Sequence, residues 1–364
     1  MLKKLKNTVQ GILLGAQVTC LVIMLLVGFS DRLSPVTHPL LSCVGLTFPV
    51  LLAINVVFLL LWLLLRPKFA LISVVGLIIG YSPIHTYIPF NIPATAPDSC
   101  IKVLSYNVAN FRETAQDADG NNYVIATRYI RESGADIVCL QEAALNDVTA
   151  KLNDIYPYRD SVTTVHEKGN STLVLLSKFP ITGKEHIPYV SKGNSSCAFF
   201  VDINGTKTVV INNHLESCGL STSDRDEFHS IVKGETGRDT LRSGSKRILQ
   251  ILSESARRRG PQADSVCKYV VRHKPTPIIL CGDFNDNPIS YTHHVIAKEL
   301  TDCFVSSGNG LGWSYAHYGM RVRIDNIFCS EDWEPYHCFV DKEAHGSDHF
   351  PILCTLKMKE KSKK

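Results

Sequence analysis

The chain has 364 residues, a formal net charge of +4, 45% hydrophobic and 20% charged residues. The length suggests two regions rather than one, and so small a net charge gives no support from composition for a broad basic nucleic-acid face. The average hides a split, because between Gly11 and Phe90 the only charged residues are Asp31, Arg32, Arg66 and Lys68. The remaining stretch, about 265 residues, carries nearly all the charge and is long enough for a full core.

In chain order, three apolar stretches come first, at about 11–29, 40–65 and 69–90. A helix needs about 20 apolar residues to cross the hydrocarbon core. The first two stretches reach that length; the third weakens after Gly80, through Pro83 and His85. Lys3, Lys4 and Lys6 precede the first stretch, and Arg66 and Lys68 separate the second from the third. The positive-inside rule therefore puts both basic segments in the cytoplasm. Three spans then place the polar region outside the cytoplasm, two place it inside, and the weakest span decides. A cleaved signal peptide fits the first stretch alone, but not the two that follow it. The expectation is a multi-pass protein of the cell (inner) membrane with its polar domain extracytoplasmic.

Pro89, Pro93 and Pro97 mark a linker. The expected division is a membrane region at 1–90, a linker at 91–100, a catalytic domain at 101–357 and a basic tail at 358–364. Strand-like runs follow the linker at 101–106, 136–140, 172–176, 197–203, 208–212, 277–281, 323–328 and 350–356, many apolar on both faces and so covered on both sides. Helical patterns lie at 124–132 and 246–259, and Pro261 then opens a further turn through Val271. The polar stretch 216–241 reads as a mobile loop, with a lid or a lipid-facing segment as the alternatives. Of the 12 cysteines, Cys139, Cys281, Cys329 and Cys354 fall in strand-like runs, where a buried free thiol is expected. No CxxC or Cys/His pair has zinc spacing.

One pattern recurs: a strand-like run ends and a metal-competent or acid/base residue follows. Asn107, Glu142, His214 and Asp283 with Asn285 follow such runs, Asp325 sits within one, and Asp348 with His349 stands just before the last. Polar groups gathered at one sheet edge are how α/β enzymes place sites. Each has a plainer reading in isolation. Residues 282–288 suit a turn, Asp348 a cap, and His214 a satisfied core histidine. Glu142 and Asp325 are harder to dismiss, since a buried carboxylate without a partner is costly.

In order, Ser105-Tyr106-Asn107-Val108, Leu140-Gln141-Glu142, the run 169–177, Asn213-His214-Leu215, Gly282-Asp283-Phe284-Asn285, Arg323-Ile324-Asp325 and Ser347-Asp348-His349 resemble the endonuclease/exonuclease/phosphatase superfamily, in a bacterial membrane-anchored form. The resemblance implies an α/β fold, a four-layer α/β/β/α sandwich like that of deoxyribonuclease I, preceded here by an all-α transmembrane region. It implies a metal-dependent phosphoester hydrolase: a phosphodiesterase or endonuclease-like enzyme, with a phosphatase or a sphingomyelinase-like phospholipid hydrolase as the alternative. Glu142, Asn107 and Asp348 would hold Mg²⁺, or alternatively Mn²⁺, which as hard cations favour oxygen ligands. Asp283 would activate or position a water, and Asn285 would bind phosphate or position that nucleophile. His349 would stabilise developing charge, with Asp325 fixing its tautomer. His214 would be a further phosphate donor, and Asn170 would support the substrate side. The expected partners are a phosphoester, in nucleic acid or a lipid headgroup, and membrane lipid; no protein partner is implied. The competing class is an inactive membrane scaffold, which the intact acid/base set argues against.

Overall fold

The computed structural model describes residues 1–117, 119–166 and 169–360. Residues 361–364 of the expected basic tail lie outside them. The chain begins with four helices, α1 (Leu2–Gly28), α2 (Phe48–Leu65), α3 (Pro67–Ile79) and α4 (Tyr81–Tyr87). Two segments, Lys4–Arg32 and Leu41–Leu65, are long and apolar enough to cross a membrane.

The third stretch forms a bent pair of helices rather than one straight helix. The helices α3 and α4 are bent by 68° at their junction. Pro83 has no N–H for the carbonyl of Ile79, and its ring would crowd that oxygen, so the helix breaks after Ile79. The 13 residues of α3 rise only about 20 Å, less than the ~30 Å hydrocarbon core.

Contacts along the helices fix their directions. Gln17 Nε2 donates to Ser73 Oγ at 2.5 Å. A Cβ on Gly76 would lie 2.3 Å from Leu21 Cδ1, and one on Gly28 would lie 2.9 Å from Pro83 Cγ. Helices α1 and α3 therefore run parallel. Asn55 Nδ2 reaches the Cys20 carbonyl at 3.4 Å, and Gly28 faces Phe48, so α2 runs antiparallel to both. Close approach at small residues with a few buried polar links is how apolar helices pack where no hydrophobic drive separates them from lipid.

After the linker come β1 (Ile101–Asn107), the small hairpin β2 (Thr114–Gln116) and β3 (Asn122–Val124), α5 (Ile125–Glu132), β4 (Ile137–Gln141) and α6 (Asp147–Ala150). A hairpin of β5 (Tyr158–His166) and β6 (Gly169–Ser177) follows, then β7 (Ile181–Ile187), β8 (Ser196–Ile203) and β9 (Thr206–His214). The chain continues through α7 (Thr222–Lys233), α8 (Arg238–His273), β10 (Ile278–Asp283), α9 (Tyr291–Ala297), β11 (Thr301–Asp302) and α10 (Cys303–Ser307). It ends with the hairpin β12 (Tyr315–His317) and β13 (Met320–Val322), then β14 (Asp325–Cys329), β15 (Trp333–Val340) and β16 (Ile352–Met358).

Two six-stranded sheets form, ordered β15-β16-β1-β4-β6-β5 and β11-β14-β10-β9-β8-β7. Their inner faces bury one core that includes Val103, Cys139, Leu175, Phe199, Val210, Ile279 and Ile327. The outer face of the first sheet packs Val138, Leu140 and Leu353 against Ala126 and Ile130 of α5. The outer face of the second packs Ile211, Leu280 and Phe328 against Ala263, Val266 and Ile296 of α8 and α9. The result is the four-layer α/β/β/α sandwich. All twelve cysteines are free, and Cys139, Cys281, Cys329 and Cys354 are buried.

Two local expectations are corrected. The stretch read as a mobile loop contains α7 and the start of α8. Ser221 and Asp224 form a reciprocal capping box at the start of α7, which ends at Gly234 with φ 72°. Two of its carboxylates are paired with α8, Arg247 lying 2.7 Å from Asp224 and 2.5 Å from Glu227. Pro261 does not open a new turn but lies inside the 36-residue α8. Packing overrides its local effect there: Ala256, Arg259, Gln262, Ala263 and Val266 are all buried, and a Cβ on Gly260 would meet Pro35 at 2.5 Å.

The helical region docks directly on the two-sheet body. His294 Nδ1 lies 2.9 Å from Asp31 Oδ2, and buried Arg323 donates to the Thr86 carbonyl at 2.7 Å. Ile289 shares an apolar cluster with Leu21, Met24, Phe48 and Tyr87.

Candidate active site

Strand register gathers the polar groups. Strand β10 pairs parallel with β9, so Asp283 lies opposite His214; it pairs antiparallel with β14, so Asp283 also lies opposite Asp325. In the other sheet, parallel β1 and β4 set Asn107 opposite Gln141, one residue before Glu142. Gly282 makes this possible: its φ is 140° and a Cβ there would sit 2.0 Å from the Asn213 carbonyl oxygen, so only glycine fits between the strands. Glu142 and Asn285 hold φ of 49° and 52°. Such backbone conformations in non-glycine residues cluster at sites where surrounding structure enforces them.

Asp283 is the centre, 1% exposed. Its Oδ1 accepts from the Asn285 backbone N–H at 2.8 Å. Its Oδ2 accepts from Asn107 Nδ2 at 3.2 Å and lies 3.7 Å from His214 Nε2 and 3.8 Å from His349 Nε2. Burial first, and then the nearby Asp325 carboxylate, push its carboxyl up to about 6 against the opposing pull of the two histidines. His349 Nδ1 pairs with Asp325 Oδ2 at 2.9 Å. Burial would lower this imidazole, but Asp325 and Asp283 outweigh it and push it up to about 10.

The Asp325–His349 pair is held by groups that sequence reasoning missed. The Ser314 hydroxyl accepts from the backbone N–H of both Ile324 and Asp325, at 3.0 and 2.9 Å. The Tyr315 ring stands edge-on to His349 with centroids 5.2 Å apart. Neither left a local signal: a serine and a tyrosine ahead of a short hairpin have no spacing that marks them.

The remaining residues differ in placement. Glu142, with its side chain 38% exposed, accepts from Asn107 Nδ2 at 3.3 Å and lies 3.9 Å from His214 Nε2. Asp348 is half-buried and lines the same cleft as Glu142, His214, Asp283, Asn285 and His349. Asn285 Nδ2 donates to the Leu215 carbonyl at 3.1 Å, so this residue acts on Asp283 through its backbone and its amide nitrogen is already engaged. Asn170 is not brought into the cluster. It is exposed in the β5–β6 hairpin opposite Val165, and no described hydrogen bond or ion pair joins it to the other site residues.

Two places suit a cation. Asp283, Asp325 and His349 offer ligand atoms within 4.8 Å of one another. In that group His349 Nδ1 is already engaged by Asp325 Oδ2, and Mg²⁺ favours oxygen over nitrogen ligands. The better place is where Glu142 and Asp283 converge on Asn107 Nδ2, beside the open cleft. A donor between two carboxylates stands where a cation would be favoured. Asn107 Oδ1 accepts from the Ala109 N–H at 3.2 Å; a half-turn of the amide gives up that bond, exchanges the nitrogen for Oδ1 and leaves an all-oxygen set with Glu142.

A buried carboxylate–imidazole pair and a second buried carboxylate, at one edge of two packed sheets, define a hydrolytic α/β site. The chain belongs to the Endonuclease/Exonuclease/phosphatase family, whose model matches residues 104–349, and the members of this family hydrolyse phosphoesters. Residues 10–87 match a separate model described as a domain of unknown function. Among solved structures, the chain resembles an endonuclease/exonuclease/phosphatase family protein from Bacteroides thetaiotaomicron (17% identity, covering 73% of this chain and 100% of that one, TM-score 0.48). It also resembles a mannosyl-6-phosphatase from the same organism (19%, 71% and 100%, TM-score 0.47) and a D. rerio TDP2 humanized by 14 mutations (17%, 72% and 100%, TM-score 0.48). No curated protein matches.

Proposed function

We propose that the protein is a membrane-anchored, divalent-metal-dependent phosphodiesterase that hydrolyses its substrate by direct attack of water. The observation that carries this reading is the convergence of Asn107, His214 and His349 on Asp283 Oδ2, beside a cleft lined by Glu142 and Asp348. Asn107, Glu142 and Asp348 are the proposed ligands for Mg²⁺ or Mn²⁺, and the cation neutralises phosphate charge. Asp283 accepts the proton of the attacking water, as a carboxyl raised toward neutrality suits. His349, kept protonated by Asp325, donates to a phosphoryl oxygen as charge develops. His214 donates from the opposite side, and Asn285 holds Asp283 in place. Asn170 is left outside the bonding network and is proposed only as an outer substrate contact. Among the described residues lining the cleft, no serine or cysteine is hydrogen-bonded to a histidine or carboxylate base, which favours water over a covalent intermediate.

We also read the chain as a membrane region at 1–90, a linker at 91–100 and a catalytic domain at 101–357, in the cell membrane with the catalytic domain extracytoplasmic. What supports the orientation is the parallel course of α1 and α3. It puts Arg66 and Lys68 toward the N-terminal, Lys-rich end of α1, while Asp31 and Thr86 meet the catalytic body. The test of function is hydrolysis of bis-p-nitrophenyl phosphate by the full-length protein in nanodiscs, with Mg²⁺ and with EDTA. Metal-dependent turnover absent from Asp283→Asn is expected, and EDTA-insensitive turnover contradicts the mechanism.

A further inference from the structure

The cleft of about 590 Å³ that holds Asp283 and His349 is not built by the catalytic body alone. Leu46, Thr47, Pro49 and Val50 also line it, and they belong to the segment Leu41–Leu65 that is apolar enough to cross a membrane. The same cleft is lined by Leu220 and Phe228 and, on α8, by Ile248 and Leu252. Leu46 and Val50 remain 43% and 61% exposed, so the apolar surface continues out of the cleft onto α2. Arg225 and Arg321 also line the cleft. The cleft therefore joins acid/base groups and guanidinium groups to an aliphatic surface shared with a helical segment long and apolar enough to cross a membrane.

We infer that the substrate is an amphiphile: a phosphoester whose hydrocarbon chain lies between α2 and α8 along Leu46, Val50, Ile248 and Leu252 while its phosphoryl group rests at Asp283 and His349. This rests on the phosphoester-hydrolase reading and adds the substrate class to it. A single-stranded nucleic acid calls for successive aromatic stacking platforms along a basic groove; here the aromatic lining residues Tyr87, Phe228 and Tyr315 stand among a larger aliphatic set that includes Leu46, Val50, Leu220, Ile248, Leu252 and Val322. Hydrocarbon drawn into such a wall leaves the bilayer without entering water, so the phosphoester reaches the cluster with its chain still covered.

The experiment uses full-length protein in nanodiscs, with hydrolysis of bis-p-nitrophenyl phosphate as the reporter and butyl, octyl and dodecyl phosphate as competitors. Burial of a methylene tightens binding about 4-fold, so inhibition should strengthen at least about 100-fold from butyl to dodecyl phosphate. In Leu252→Glu and, separately, in the more exposed Leu46→Glu, that ratio should fall below about 10-fold. The ratio is internal to each variant, so partition of the competitors into the bilayer affects all proteins alike. A ratio near one in the wild type overturns the inference while the hydrolase reading stands. So does an equal ratio in wild type and both variants, or tighter competition by a single-stranded oligonucleotide than by dodecyl phosphate. Absence of any Asp283-dependent hydrolysis overturns the hydrolase reading, and this inference with it.

Discussion

Asp283 shows how much one carboxylate depends on its neighbours, and the same is true of Asp325. Asp325 is 1% exposed and is held by the Ser314 hydroxyl on one side and the His349 ring on the other. Asp325→Asn keeps the shape but cannot sustain the imidazolium, so kcat should fall about 10²- to 10⁴-fold, the range for lost acid/base catalysis, with little change in melting temperature. Glu142→Gln should instead shift the Mg²⁺ concentration needed for half-maximal rate upward, read by titration. A distant pair gives a pH prediction for stability. Buried Asp302 lies 2.7 Å from His293 Nε2 and caps α10. Burial would raise its carboxyl, but the His293 contact and the backbone N–H groups outweigh that and hold it below its usual value. A depressed carboxyl stabilises the fold above its unfolded value of about 3.9 and loses that contribution as pH falls below it. Thermal unfolding at pH 6 and pH 3.5 should show a larger acid loss in the wild type than in Asp302→Asn. At this scale most of the cluster was legible, because each residue follows, sits within or directly precedes an apolar run, and a carboxylate there needs a partner. Ser314 was not legible, since its role is to accept from two backbone N–H groups 10 and 11 residues onward.

Among elements, the strands that were legible are mainly central ones and the missed ones are edges. Strands β5, β7 and β15 stand at sheet edges and carry alternating polar or charged residues, as edge strands do to avoid pairing with other chains. Central β1, β4 and β10 are buried along most of their length and so read as apolar runs. Pattern alone did not reveal α7, whose hydrophobic content is low, although Ser221 and Asp224 stand at capping-box spacing. Register makes a sharp prediction: any side chain at 282 must push β9 and β10 apart. Gly282→Ala should lower thermal stability and abolish turnover together. Gly76 plays the matching part between α1 and α3. Gly76→Val should lower the melting temperature of the solubilised protein while leaving the metal requirement of the remaining activity unchanged.

For the whole molecule, the apolar N-terminal helices and the catalytic body meet in one structure, and no sequence pattern announces that. The sequence shows an apolar third and a polar remainder; it does not show that residues 43–50 border the same cleft as residues 283 and 349. The third apolar stretch, broken at Gly80, still returns the chain toward the body because α3 runs parallel to α1. Membrane-impermeant labelling of single cysteines placed near the N-terminus and near the C-terminus should mark only the latter in intact cells. The central claim is that Asp283, at the meeting of the two sheets, drives metal-dependent attack of water on a phosphoester. It is tested most directly by hydrolysis in ¹⁸O-labelled water by wild type and Asp283→Asn, with Mg²⁺ and with EDTA. Single-turnover incorporation of one ¹⁸O into the phosphorus-containing product, dependent on Mg²⁺ and lost in Asp283→Asn, is the predicted result; incorporation that persists in Asp283→Asn or in EDTA would contradict the account.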